Sequence, residues 1–483
     1  MTEERISQIR DAANAAIKAF GAEGLALAVV SEGSIVLTEG FGFSDKAANE
    51  PMTENLLFPI ASTSKAFTAA CAVMLSEDGK LNLDKPVNTY MPQFKLFDPI
   101  ASKETTTRDM LSHRTGLPRH DLLWITMDEA ADREDLVFNR LPNLKPSQPF
   151  RYLWQYQNLI YASVGVLVEK LSGKPWEQFV SERIFKPLGM DTAIFDSSTP
   201  GASYAKLYKT GDDGSNVEAF PEKTGAIGPA GSIRASVSDM SKWLLFNIEK
   251  GKVGDAQLIG PAYAEISKPN IPYQLMPFEV PGSVRVGYGL GWFIDLYKGE
   301  TVVSHGGNLT GSSTLVSMIP ERKDGLVILA SQDSTLMPYA LANAIYDIML
   351  EKGGQDWNAF YLEQEKAMKA QPEQMKSSLL ATQVKDKPLT HDVEAYVGEY
   401  EHPGYGKVTI KAENGELSCV VNSLELKFTH FHYDIFLAEI VGMPILASFQ
   451  TGLKGEIASV SLQLEFTLPD LIEFKRIPKE ANA

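Results

Sequence analysis

The chain has 483 residues, 44% hydrophobic and 22% charged, enough apolar material for a sizeable core in more than one domain; this composition excludes a disordered protein. Its 61 acidic residues against 45 basic ones give a formal net charge of -16 with no basic block, which argues against a nucleic-acid or anionic-membrane surface. Only Cys71 and Cys419 are present, far apart in apolar segments, so neither a disulfide framework nor a cysteine zinc site is expected.

Taken in chain order, Met1 to Arg10 is charged and lacks the apolar core of a signal peptide, and no later run approaches the length of a membrane span; the expectation is a cytoplasmic protein. Ile6, Ile9, Ala13, Ala16, Ile17 and Phe20 recur at helical spacing, followed by two strands, Leu25 to Val30 and Ile35 to Phe41, around a turn at Ser31-Glu32-Gly33. Ser62 and Lys65 follow, in Phe58-Pro59-Ile60-Ala61-Ser62-Thr63-Ser64-Lys65. If a helix starts near Ser62, the three-residue step puts hydroxyl and amine on one face, and Phe67, Ala70, Cys71, Met74 and Leu75 give that helix its buried face. A Ser-x-x-Lys pair is a candidate nucleophile with a built-in base.

The same spacing recurs at Ser203 and Lys206, in a mixed stretch without an apolar helical face, so context and not the spacing distinguishes the first pair. From Ala66 to about Lys250 the chain reads as helices and loops. Strand character returns at Val286 to Ile294, Thr301 to Ser304, Ser313 to Ile319 and Gly325 to Gln332, and Leu341 to Leu350 would close the domain as a helix. Strands at both ends of a domain with helices between them predict an α+β architecture over residues 1–350. Residues 351–389 read as a helical linker. Residues 390–483, with short strands such as Tyr405 to Lys411 and Ile435 to Ile440 between turns, predict a separate antiparallel β-barrel.

Two further motifs complete a constellation around the serine. Tyr156-Gln157-Asn158 is the only Tyr-x-Asn among 17 tyrosines and precedes a helix-like segment; Tyr156 could lose its proton beside Lys65. In Val302-Val303-Ser304-His305-Gly306-Gly307-Asn308, an apolar strand ends in a histidine and two glycines that let backbone approach a ligand and could supply an oxyanion donor. Taken alone, each would read as a structural tyrosine and a loop histidine.

With these three motifs the chain resembles the serine β-lactamase and penicillin-recognising family, which includes class C β-lactamases, DD-peptidases, D-aminopeptidases and related esterases. The resemblance spans residues 1 to about 350 and extends to Met110 to Leu117, Pro187-Leu188-Gly189-Met190, Gly231-Ser232-Ile233 and Tyr288 to Trp292. It implies acylation of Ser62, a proton shuttle through Lys65 and Tyr156, and substrate binding by Asn158, His305, Gly306, Gly307 and Asn308. It also implies an oxyanion hole from the backbone amides of Ser62 and Asn308. Two departures stand out: His305 replaces the usual lysine with a group largely neutral near pH 7, and Gln157 replaces a small residue, which predicts a reshaped pocket. The tail resembles the lipocalin-like domain of many relatives, with Tyr396 to Tyr400 at its start.

The function expected is a metal- and cofactor-independent serine hydrolase acting on a small molecule or short peptide, with D-amino-acid-containing amides or peptides first. A carboxylesterase or β-lactamase, a peptide-cyclising thioesterase and a non-catalytic ligand-binding module are the alternatives, and a homo-oligomer stays open. His430-Phe431-His432 lacks a third ligand for a metal site, and there is no Walker loop and no Gly-x-Ser-x-Gly elbow.

Overall fold

The computed structural model describes residues 1–127, 131–195, 199, 201–211, 213–422, 424–440 and 442–478. An eight-stranded antiparallel sheet runs in the order Ser283–Tyr288, Phe293–Tyr297, Glu300–Leu309, Ser312–Ile319, Asp324–Ala330, Gly24–Ser31, Ser34–Asp45 and Glu50–Pro51. Its halves come from opposite ends of residues 1–350 and join where Leu25 to Val30 pair with Ala330 to Gly325. Gly24–Ser31 is buried at every position, which is why it reads as a continuous apolar run.

The alternation of that strand sorts the two faces. Leu25, Leu27 and Val29 pack with Leu326 and Ile328 against the helices Glu3–Phe20 and Met337–Leu350. Ala26, Ala28 and Val30 face the larger core that holds Phe67 and Trp243, whose rings stack 3.8 Å apart. The small side chains on this face let helices approach the sheet.

The helix Ser64–Glu77 is buried continuously from Ser64 to Leu75, so the expected single apolar face is corrected to burial all round. The helix packs against the helix Asn158–Ser172 and the short helix Gly228–Gly231, while Val237–Ile248 covers the sheet itself. Two strand boundaries also differ from expectation. Val286 to Ile294 divides into two strands at a turn where Gly291 (φ 78°) meets the Lys65 backbone: a Cβ there would lie 3.0 Å from the Lys65 carbonyl oxygen. Glu300–Leu309 does not end at His305 but continues through both glycines, because Gly307 lies directly against the serine turn.

Two helices, Trp357–Lys369 and Gln371–Leu380, lead to a nearly closed antiparallel sheet of nine strands running from Gly398–His402 to Ile472–Arg476. Its alternating buried positions, including Tyr400, Phe436 and Phe449, join Tyr396 and Phe428 from outside the strands to fill the interior with interlocking rings. The barrel core is continuous with the larger core of residues 1–350. Gly404 seats against Leu144, where a Cβ would come within 2.8 Å of Leu144 Cδ2.

Candidate active site

Ser62 lies in a 3-10 turn, Ala61–Thr63, that enters the buried helix. Ala61, the residue before it, adopts the left-handed conformation (φ 50°), a strained geometry for a residue with a Cβ and one that presents the serine at the end of the helix. The turn is fixed from both sides: Ile60 N–H donates to Ile233 O (3.0 Å), while Thr314 Oγ1 donates to Ile60 O (3.0 Å). Gly307 closes the other side, since a Cβ on it would stand 2.4 Å from Ile60 O and 3.0 Å from Ala61 Cβ.

Lys65 is fully buried and, among the described residues, has no carboxylate hydrogen-bonded to it. Its Nζ lies 3.1 Å from Ser62 Oγ, 2.7 Å from Asn158 Oδ1 and 2.9 Å from Ala230 O. Two of these partners can only accept. A neutral amine has two N–H donors and one lone pair, so the two carbonyl oxygens take both donors and leave the lone pair facing the serine hydroxyl. Burial pushes the Lys65 amine well below its ordinary range, the Arg119 charge adds to this, and Asp121 opposes it in part.

Tyr156 neighbours Ser62 and presents its ring 4.7 Å from Lys65 Nζ. Burial pushes its phenol upward, opposed by the Ser62 contact and the Arg119 charge. The two shifts run in opposite directions, the amine toward its neutral form and the phenol toward its protonated one, against the expected loss of the Tyr156 proton. Environments that drive two titratable groups apart separate a base from a proton donor.

Asn158 opens the helix Asn158–Ser172, and its orientation is fixed because Nδ2 donates to Asp121 Oδ1 (2.8 Å), turning Oδ1 to Lys65. Gln157 does not enter the pocket. It is fully buried, its Oε1 accepts from Leu159 N–H (2.7 Å) as the helix cap, and its Nε2 donates to Pro118 O. The reshaped pocket expected from its size is corrected on that ground.

On the strand beside Ser62, the structure separates the expected substrate-binding residues. His305 is 1% exposed, with Nδ1 on Gly306 O (2.7 Å) and Nε2 on Tyr288 Oη (3.0 Å), so the ring donates through Nδ1 and accepts at Nε2. Burial pushes it down to about 3, toward the neutral ring that this hydrogen-bond pattern requires. Gly306 faces the opposite side of the sheet, where a Cβ would collide with the Tyr339 hydroxyl. Asn308 is exposed and its Oδ1 accepts from Ser313 Oγ (2.8 Å). The neighbouring strand stops pairing at Phe293↔Ser304, so His305 to Leu309 leave one backbone edge open.

Several residues of the site were not anticipated. Asp121 accepts from Asn158, from Trp124 Nε1 (2.7 Å) and from Arg119 Nε; Arg119 in turn lies over the Tyr156 ring, 4.8 Å from its centroid. His113 accepts Gln157 N–H at Nδ1 (3.1 Å) and packs against Tyr156. The available signal was Arg119-His120-Asp121 itself, three polar residues in a row directly after an apolar motif. Ser203 and Lys206, by contrast, lie apart from the site, and Lys206 pairs with Asp45 (2.9 Å) and Glu218 (3.2 Å). His430 and His432 each bond a backbone group, Tyr433 O and Val384 N–H.

The family described as Beta-lactamase matches residues 13–347, and the chain belongs to that family of serine hydrolases. A second family, described as a domain of unknown function (DUF3471), matches residues 382–476. Unguisins hydrolase ungD of Aspergillus violaceofuscus is 29% identical over 486 residues, covering 92% of this chain and 84% of its own. The octameric penicillin-binding protein homologue from Pyrococcus abyssi superposes over 97% of this chain and 100% of its own, with a TM-score of 0.62 and 21% identity. The D-amino acid amidase from Ochrobactrum anthropi SV3 covers 75% of this chain and 99% of its own, with a TM-score of 0.60 and 22% identity. Among the described residues no helix is long and apolar enough to cross a membrane.

Proposed function

We propose that this hydrolase cleaves amide or peptide bonds through an acyl-enzyme on Ser62, with D-amino-acid amides and peptides as its preferred class. The observation that carries this reading is the buried Lys65 amine, whose two N–H donors are committed to Asn158 and Ala230 and whose third contact is Ser62 Oγ. Lys65 takes the Ser62 proton as Oγ bonds to the substrate carbonyl carbon. The oxygen that gains charge is met by the backbone N–H groups of Ser62 and Asn308, the latter on the open strand edge. Tyr156 passes a proton to the leaving nitrogen, refilled from Lys65, and water then breaks the ester by the reverse path.

The amide preference is supported by the named activities of the relatives, an unguisins hydrolase and a D-amino acid amidase, the latter solved with D-phenylalanine. The barrel interior is filled by its own rings, which weighs against the reading of a ligand receptor. An oligomer is part of the same proposal, on the precedent of the octameric relative, and light scattering on the purified chain tests it.

The test is rapid acid quench of the protein with D-phenylalanine amide and its methyl ester, followed by intact-mass and peptide mapping. The reading expects a D-phenylalanyl adduct on Ser62, absent in Ser62→Ala, and faster turnover of the D-amide than of the L-amide. Turnover that survives Ser62→Ala removes the acyl-enzyme. Ester cleavage alone, without stereochemical preference, moves the assignment to a carboxylesterase.

A further inference from the structure

The strand beside Ser62 supplies no cation, because His305 is neutral and both its nitrogens are used inside the protein. The accessible positive charge at this site is Arg119, on the opposite wall. Its side chain keeps 53% of its surface exposed while its guanidinium lies flat over the Tyr156 ring. Only its Nε edge is occupied, by Asp121 Oδ2, and among the described residues neither Nη group has a hydrogen-bond partner. The planar end of the guanidinium is left as a two-pronged donor, exposed to solvent over the Tyr156 ring.

The nearby acids do not compete for that end. Asp121 Oδ1 is shared between Trp124 Nε1 and Asn158 Nδ2. Glu465, on the barrel, accepts His120 N–H through Oε2 (2.8 Å) and Thr467 through Oε1. His120 is clamped further by Tyr405 Oη on Nδ1 (2.9 Å) and Lys145 O on Nε2 (3.0 Å), in a left-handed conformation (φ 46°). The barrel thus fixes the middle of Arg119-His120-Asp121 and so holds the residue on either side of it.

We propose that Arg119 reads a carboxylate on the substrate, making the site selective for acid-bearing amides or esters; the inference rests on Ser62 being the nucleophile. A carboxylate meets the free Nη pair in a bidentate, charge-assisted contact, and one such contact corresponds to roughly tenfold or more in affinity.

Boronic acids test this without knowledge of the natural substrate. The Ser62 Oγ–B bond forms as the hydroxyl proton passes to Lys65, giving a tetrahedral boronate anion with no bond to boron broken. Inhibition constants are compared for phenylboronic acid and its 2-, 3- and 4-carboxy derivatives. At least one carboxylated isomer should bind roughly tenfold tighter than the parent, the ratio should collapse in Arg119→Gln, and Arg119→Lys, which keeps the charge without the fork, should fall between. Because the ratio is internal to each variant, a general loss of affinity does not disturb it. Equal constants across the series in the wild type, or a ratio that survives Arg119→Gln, overturns the inference. If the wild type binds none of these compounds, or Ser62→Ala binds them equally well, the Ser62 reading fails first and the inference falls with it.

Discussion

Two Ser-x-x-Lys sequences in one chain share a spacing and nothing else. Lys206 is a surface amine paired with Asp45 and Glu218, and those hydrogen bonds and charges hold it above its ordinary range. Lys65 has no carboxylate hydrogen-bonded to it among the described residues, with Asp121 acting only from beyond Asn158, is surrounded by protein, and is pushed the other way. A lysine becomes a base through what is withheld from it: water and counter-charge. The spacing delivers the amine to the hydroxyl, and burial decides whether the amine can take a proton.

The comparison is broken most severely at the serine itself. Ser62→Ala or Lys65→Ala should reduce turnover of a reporter ester by at least about a thousandfold while leaving the far-UV spectrum unchanged. Next comes Asp109, fully buried, whose carboxylate holds Arg114 (2.5 Å) and Arg151 (2.6 Å) and so braces the segments leading to Arg119 and Tyr156. Burial pushes its pKa up, but Arg151, Thr106 and Arg114 outweigh that and hold it below the usual range. Asp109→Ala takes the carboxylate from two partly exposed arginines, which keep only backbone partners at Asn270 and Glu104, and should cost about 2–3 kcal/mol in urea unfolding.

A smaller intervention acts on Lys65 alone. Gly165 faces Pro229, where a Cβ would lie 2.1 Å from Cγ, and the next residue supplies the carbonyl that holds the amine. Gly165→Ala should cost about 1–3 kcal/mol and lower kcat more than it raises KM, as the Ala230 carbonyl shifts off Nζ. Titration sharpens the contrast without mutation. His305 is held neutral to about pH 3 against 6.5 unfolded, so the unfolded chain binds the extra proton in that window. Stability is therefore retained above pH 6.5 and falls by up to about 1.4 kcal/mol per pH unit on acidification, a slope that should shrink in His305→Gln. The smallest effect belongs to the surface pair: Lys206→Ala should leave turnover within about twofold of wild type in the same assay.

Much of this arrangement is visible in the chain before any coordinates. The apolar run around Ser62, the Tyr-x-Asn at a helix start and the two glycines after His305 mark segments that converge on one point, and the alternating strands of the tail mark a barrel. What escapes is whatever depends on partners distant in sequence. Nothing local says that Ser64–Glu77 is enclosed on all sides, because its alanines are equally compatible with a one-sided helix. Gln157 looks like a pocket residue until Pro118, 39 positions away, is seen to take its amide. Arg119 and Asp121 are ordinary charges in sequence; their roles arise only when Tyr156 and Asn158 come up beside them.

The pairing of Leu25 with Ala330 has a consequence for how the protein is made. A ribosome adding about 5–20 residues per second needs roughly 15–60 s to travel from one to the other. Through that interval the strand Gly24–Ser31 has one unpaired edge, and its row of leucine and valine lacks the helix Met337–Leu350 that joins Glu3–Phe20 over it in the finished fold, so an interior strand of the sheet begins as an adhesive edge. Topology of this kind, dominated by contacts far apart in sequence, also folds slowly once the chain is free.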